Sequence, residues 1–354
     1  MTSIERGRRS GVSPEDPLVK GLARAWGLQR PWAQLIFKLG TGTTAVLSAL
    51  VVVLICVFLT VFAWPAIRFN GWNILTGTIW NIGNQYGSGS ITHNGYSAEP
   101  GAQFGGLVFI FGTLATATVA MIAAVPLAFL VSVALVYRVP ARIRPLANAL
   151  VELMAGVPSV VYGLWGMVVL VPWIGTKLAP AATAHLGFLP IFHGDAGSGN
   201  GLLAASTIIA LMVIPIMVAT IRDVINAQAT SVYEASMALG STSWQAVTRA
   251  VLPSVRNGMI AAIMVAFGRA LGETMAVLMV CGAAINTYPQ NIFQSVNTLA
   301  AVIVSQLESA LTDSSGMAQR SLAELAVVLF AITVVLNMLA RGILRGADRS
   351  QEAQ

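Results

Sequence analysis

The stretch VRNGMIAAIMVAFGRALGETMAVLMVCGAAINT, residues 255–287, decides how this chain is to be read. It is apolar over most of its length, yet it carries Arg269 and Glu273 four residues apart. An ionised side chain at the centre of a membrane helix costs about 3 kcal/mol on insertion scales, so such charges persist where they pair, line a wet path or bind a ligand. At a rise of about 1.5 Å per residue, Arg269 lies about 20 Å along a helix begun near Arg256, close to mid-bilayer. A helix continued through Glu273 sets both side chains on one face, within pairing distance.

Composition extends this reading to the whole chain. Of 354 residues 56% are hydrophobic and 10% are charged, and the mean hydropathy is +0.76. Soluble domains carry about a quarter charged residues, so lipid is the main solvent here. A hydrocarbon core about 30 Å thick needs about 20 apolar residues per helix. Six stretches qualify: 42–67, 104–136, 146–174, 201–221, 257–286 and 320–341. None alternates with period two, which excludes barrel strands and predicts an all-α integral membrane protein, a six-transmembrane-helix bundle. The second stretch exceeds one span and holds Pro126, which predicts a kink, a tilt or an extra turn.

Basic residues orient the bundle. The segments before 41, 138–144, 222–256 and the C-terminal end hold 16 of the 20 Lys and Arg; Arg68, Lys177 and Arg320 fall on the other side, and Arg269 within a span. The positive-inside rule therefore predicts both termini in the cytoplasm. The net charge of +6 is accounted for by topology and attraction to anionic lipid, not by nucleic-acid binding. Residues 1–41 read as a basic cytoplasmic tail and no cleavable signal, residues 42–341 as the membrane domain, and 342–354 as a cytoplasmic C-terminal tail. Cys56 and Cys281 fall in spans and read as small apolar side chains without a disulfide.

Of the outer connections, 68–103 is the largest; Trp72 and Trp80 within it read as interfacial anchors, with docking of a partner as the alternative. In 175–200, His185 and His193 lack the Cys or paired acidic residues of a metal site. Glu152 and Glu324 lie near the starts of the third and last spans and read as structural, snorkelling or capping backbone groups. Gly156, Pro158 and Gly163 read as a cluster that either opens a helix around a pore or allows close packing, the second being preferred.

The inner connection 222–256 contains EASMALGSTSWQAVTRAVLP, residues 234–253. Two helical stretches split at Gly240, where a turn is easiest, and Trp244, Val247 and Val251 share a face beyond it. Pro253 suits the opening of the next helix. A helix-turn-helix of this kind at the membrane face fills a groove on another protein.

That segment resembles the EAA motif of ABC-importer permeases, through Glu234, Ala235, Gly240, Leu252 and Pro253; Ser236 and Ala250 depart mildly from it. GRALGETMAV at 268–277 resembles the signature of phosphate-specific transport permeases, and ELMAGVPSVVYGLWG at 152–166 their third-span pattern. The resemblance covers nearly all of the chain after residue 40, and the long first outer loop is closer to the PstC type than to the PstA type.

The resemblance implies the permease subunit of an ATP-driven phosphate importer in the cytoplasmic (inner) membrane. Its implied partners are a PstA-type permease, two PstB-type ATP-binding subunits that would hold ATP and Mg, and a PstS-type extracytoplasmic phosphate-binding protein. Glu234, Ala235, Gly240, Leu252 and Pro253 would couple to the ATPase, and Arg269 and Glu273 would line the substrate path. A guanidinium suits phosphate oxygens, and an Arg269–Glu273 pair opened by the arriving anion would act as a gate. The chain has three Lys, none in a phosphate-binding G-x-x-x-x-G-K-[ST] loop, and no motif of a catalytic centre, so no ATPase site or cofactor of its own is expected. The Arg-Ala-x-Gly-Glu run also occurs in sulfate permeases, which keeps a sulfate or other oxyanion importer as an alternative. A self-contained secondary transporter is the alternative from another class; the lack of an evident inverted repeat counts against it.

Overall fold

The computed structural model describes residues 31–352 except 85, 86, 88, 196 and 229. The tail reading of residues 1–30 lies outside the described residues. Among the described residues eleven helices carry the fold: α1 Pro31–Asn70, α2 Asn73–Thr76, α3 Leu107–Tyr137, α4 Arg144–Ala155, α5 Ser159–Leu186, α6 Leu202–Gln228, α7 Thr230–Ala238, α8 Ser243–Gly272, α9 Met275–Val280, α10 Leu299–Leu311 and α11 Met317–Glu352. Both α5 and α8 contain π-helical turns, Gly166–Leu170 and Ile174–Leu178 in the first and Ala246–Val251 in the second. Among the described residues six helices are long and apolar enough to cross a membrane, lying in α1, α3, α5, α6, α8 and α11.

The chain divides after Phe58 into two compact units. Within the first, the large apolar side chains from Leu35 to Phe58 are mostly exposed, as suits a helix solvated by lipid. The second, from Leu59 onward, is organised around α6, of which 67% of the apolar window is buried. Its most extensive partner is α3, and α4, α8 and α9 also pack on it. Small side chains make the α3 approach close: Ala117, Ala120, Ala124 and Ala128 are fully buried in the main core. Ser132 Oγ donates to Val218 O of α6 at 3.2 Å, a hydrogen bond between helices where no water competes. Helix α3 runs on through Pro126.

The third span is where the sequence reading needs its largest correction. Expected at 146–174, it lies at Ser159–Leu186, because the chain breaks at Gly156–Pro158. A residue before proline is pushed out of the helical region, so α4 ends there and a new helix starts. The separate α4 packs Ala147 and Val151 on the core and leaves Leu146, Leu150 and Leu153 exposed. Glu152 therefore belongs to α4 and not to a span; its Oε1 accepts from Arg222 Nη2 of α6 at 3.3 Å. Gly163 does pack closely: a Cβ there would come within 2.9 Å of Ala276 Cα on α9.

At the end of the bundle opposite the basic connections, the 68–103 segment forms two short antiparallel pairs, β1 Trp80–Asn81 with β4 Gln103–Phe104 and β2 Ile91–His93 with β3 Tyr96–Ala98. Trp80 is 4% exposed and meets Phe104 and Phe109 edge-on at 5.2 and 5.9 Å between centroids. It is the core of a second apolar cluster and not an interfacial anchor, whereas Trp72 is exposed. Helix α10, not expected from the sequence, follows an irregular segment whose carbonyls receive the first amides of α6: Leu202 N donates to Gln294 O at 3.0 Å and Leu203 N to Ile292 O at 2.8 Å. Glu324, expected to snorkel or cap backbone groups, is instead buried on α11, its Oε2 accepting from Asn70 Nδ2 at 2.6 Å.

Candidate functional site

Two interruptions in the helical run after Thr230 hold the residues of interest. The first lies between α7 and α8, at residues 239–242. Gly240 adopts φ +85°, a conformation that a side chain resists, and its amide donates to Met237 O at 3.0 Å. Thr242 then starts α8 with a reciprocal cap: Gln245 N donates to Thr242 Oγ1 at 3.3 Å, and Thr242 N to Gln245 Oε1 at 3.0 Å. Ser236 Oγ donates to Ser241 Oγ at 3.2 Å across the turn, which gives the serine that departs from the motif a function of its own.

This turn presents apolar surface. Leu239 is 89% and Trp244 60% exposed, while Val247 and Val251 face inward and are buried. Trp244 thus parts from the two valines with which it was expected to share a face, because the π turn Ala246–Val251 changes the helical phase just beyond it. Glu234, Ala235 and Gly240 are exposed beside Leu239. The second half of the motif continues without a break: Leu252 and Pro253 lie inside α8, and Pro253 follows the π turn instead of opening a helix.

Arg269 is on the last turn of the same α8, about 26 Å from Leu252 at about 1.5 Å per residue. The helix ends at Gly272, and Glu273 is extended, with φ −68° and ψ 123°. The expected single helix through 286 is therefore broken, and Arg269 and Glu273 do not form the expected ion pair. Glu273 Oε1 instead accepts from Ala276 N at 3.4 Å, at the start of α9. Arg269 is exposed next to the carbonyls that end α8, and a Cβ added at the neighbouring Gly268 or at Gly272 would meet nothing within 4 Å. Each charge is set against the helix terminus of opposite polarity, which compensates it without the other.

Sequence reading missed three features of this region. The capping box was legible as Thr242-x-x-Gln245 before an apolar run. The break at Glu273 and the Glu152–Arg222 pair have no local signal, since both depend on neighbours distant in the chain. Among the described residues no cluster of His, Cys, Asp and Glu is suited to hold a metal.

Residues 124–352 match the family model described as binding-protein-dependent transport system inner membrane component. The chain is 41% identical over 332 residues to the phosphate transport system permease protein PstC 1 of Mycobacterium tuberculosis, covering 93% of this chain and 97% of that one. It is 29% identical over 313 residues to the phosphate transport system permease protein PstC of Haemophilus influenzae, covering 88% and 92%. Among solved structures, a bacterial alginate ABC transporter, in complex with its alginate pentasaccharide-bound periplasmic protein, contains a chain matched at TM-score 0.54 and 12% identity, covering 89% of this chain and 99% of that one. At that identity the likeness concerns the fold.

Proposed function

We infer the function from the premise that this chain belongs to the family of binding-protein-dependent transport system inner membrane components, within it to the PstC-type phosphate permeases. It is the multi-pass membrane permease subunit of an ATP-driven phosphate importer, working with an ATPase and a substrate-binding protein. The observation that carries this is the 41% identity over 93% of the chain to a phosphate permease.

The basic end of the bundle, with both termini, faces the cytoplasm. A PstA-type permease completes the pathway, two PstB-type subunits bind ATP and Mg, and a PstS-type protein delivers phosphate from outside. The exposed surface around Glu234, Ala235, Leu239 and Gly240 docks on an ATPase subunit, where the apolar Leu239 and Trp244 exchange water for protein. Helix α8, continuous from Ser243 to Gly272 and containing Leu252 and Pro253, carries displacement from that surface toward Arg269. Arg269 has no hydrogen-bonded or ionic side-chain partner among the described residues, so an arriving phosphate meets a guanidinium with no counter-ion to displace. That replaces the gate in which the anion would compete with Glu273; Glu273 instead shapes the path by fixing the start of α9.

The test is ATP-dependent phosphate uptake into proteoliposomes holding the complete complex and its binding protein, with sulfate as competitor. Arg269→Ala is expected to lower uptake at least tenfold with the complex intact, about 1.4 kcal/mol or more of lost transition-state stabilisation. Arg269→Lys recovers only part of it, since an ammonium lacks the planar fork; full recovery would remove the bidentate contact. Glu234→Ala is expected to uncouple hydrolysis from uptake. Strong sulfate competition would move the substrate class to oxyanions in general, and uptake without any ATPase would favour a secondary transporter.

A further inference from the structure

The coupling helix α7 has an aromatic attachment that neither the motif nor the sequence pattern indicates. Tyr233, the residue before Glu234, stacks on Tyr137, the last residue of α3, with ring centroids 4.3 Å apart and planes inclined at 27°. Both rings are half-buried and pack against the main core. The Tyr137 hydroxyl is buried without a hydrogen-bond partner, so this tyrosine is held by its ring and not by its polar end.

The place of the stack gives it meaning. Helix α7 also contacts α6 and the π turn at the start of α8, its neighbours along the chain on either side. Helix α3 is remote in sequence from α7, yet it shares the most extensive interface in the bundle with α6. Through α6 and α8 a push on α7 reaches α3 only indirectly, by way of their own contacts with it. The α3–α6 interface is closely packed through small side chains and tied by Ser132 to Val218, so it resists shear. The stack adds a direct attachment of α7 at the C-terminal end of α3, so a push on α7 acts on both members of that pair at once. Offset stacked rings hold orientation as well as distance, which an aliphatic contact does not.

We propose that Tyr137 and Tyr233 form a positioning pair that links the ATPase-facing helix α7 to α3, so that displacement of α7 moves the α3–α6 pair together and hydrolysis is converted into phosphate passage. The inference rests on the reading of the chain as an ATP-driven phosphate permease and adds to it the residues through which one route of coupling runs. A merely structural pair would alter stability or assembly; a positioning pair alters the amount of phosphate imported per ATP hydrolysed.

That ratio is the quantity to measure, in proteoliposomes with the complete complex, the binding protein and internal ATP. Tyr137→Leu and Tyr233→Leu are each expected to lower it about three- to tenfold while hydrolysis continues, the range an aromatic pair is worth. The double variant is expected to be no worse than either single one, since the second substitution removes nothing that remains. Tyr137→Phe is expected to match the wild type, because the hydroxyl it removes has no partner. If Tyr137→Leu does not assemble, Tyr233→Leu reads the same ratio from the other ring. An unchanged ratio in the Leu variants would overturn the proposal, as would losses that multiply in the double variant or a Phe variant as impaired as Leu. A wild-type complex that imports no phosphate with ATP would instead overturn the functional reading, and the inference with it.

Discussion

The turn between α7 and α8 and the break between α8 and α9 interrupt the same helical run, and they are held in different ways. At 239–242 the sequence does the work locally: Gly240 takes the left-handed conformation, and Thr242 and Gln245 cap the new helix with each other. At 272–274 no residue has positive φ, Thr274 makes no capping bond to the helix it precedes, and the local contact from Ala276 N to Glu273 Oε1 is long at 3.4 Å. There α9 is fixed by packing on α5 and α6, with Ala276 against Gly163 and Ala276, Val277 and Val280 fully buried. A locally encoded turn keeps its shape while its surroundings move, which the proposed docking on an ATPase requires. A break imposed by packing responds when its neighbours move, which the proposed substrate path requires.

The largest expected effect tests the packing side of that contrast. Gly163→Val should cost about 3 kcal/mol, because its Cβ would press on the Ala276 backbone, which cannot give way as a flexible side chain can. The apparent Tm of the purified protein should fall accordingly, and a variant as stable as the wild type would show that α9 is not held there. Next, Gly240→Ala should cost about 1–2 kcal/mol from backbone strain alone, since nothing lies within 4 Å of its new methyl group. A loss larger than that of Gly163→Val would reverse the comparison. Thr242→Ala should cost about 1 kcal/mol through loss of the cap, and Thr242→Ser should recover most of it; equal thermal midpoints for Ala and Ser would refute the cap. The smallest effect belongs to Glu273→Gln, about 0.5 kcal/mol, since an amide oxygen still accepts from Ala276 N and only the charge against the helix terminus is lost. A collapse in stability with Gln would indicate an ionic partner for Glu273 after all.

The same contrast explains how much of the fold and site is legible in the sequence. Spans in α1, α3, α6 and α11 overlap their expected positions, because twenty apolar residues in a row have few other solutions. The division at Gly240 is legible because glycine there is a local signal. The expected third span falls partly on α4 because the apolar character continues across Gly156–Pro158 and masks a boundary that the proline does announce. The expected fifth span is shifted because its apolar run continues beyond Gly272, while the coupling segment ahead of it, less apolar, joins it as one helix. Residue type alone assigns Trp80 to the interface, although its burial depends on Phe104 and Phe109.

By itself the sequence determined the solvent, the helical class, the number of spans and the family, since these depend on composition, on length against bilayer thickness and on motifs read in order. Tertiary structure alone decided that Arg269 and Glu273 form no ion pair, that Glu152 meets Arg222, and that Tyr233 reaches Tyr137. The physical reason is that a four-residue spacing brings two side chains together only while the helix between them is intact. Whether it stays intact was settled by the buried contacts of α9 with helices far away in the chain.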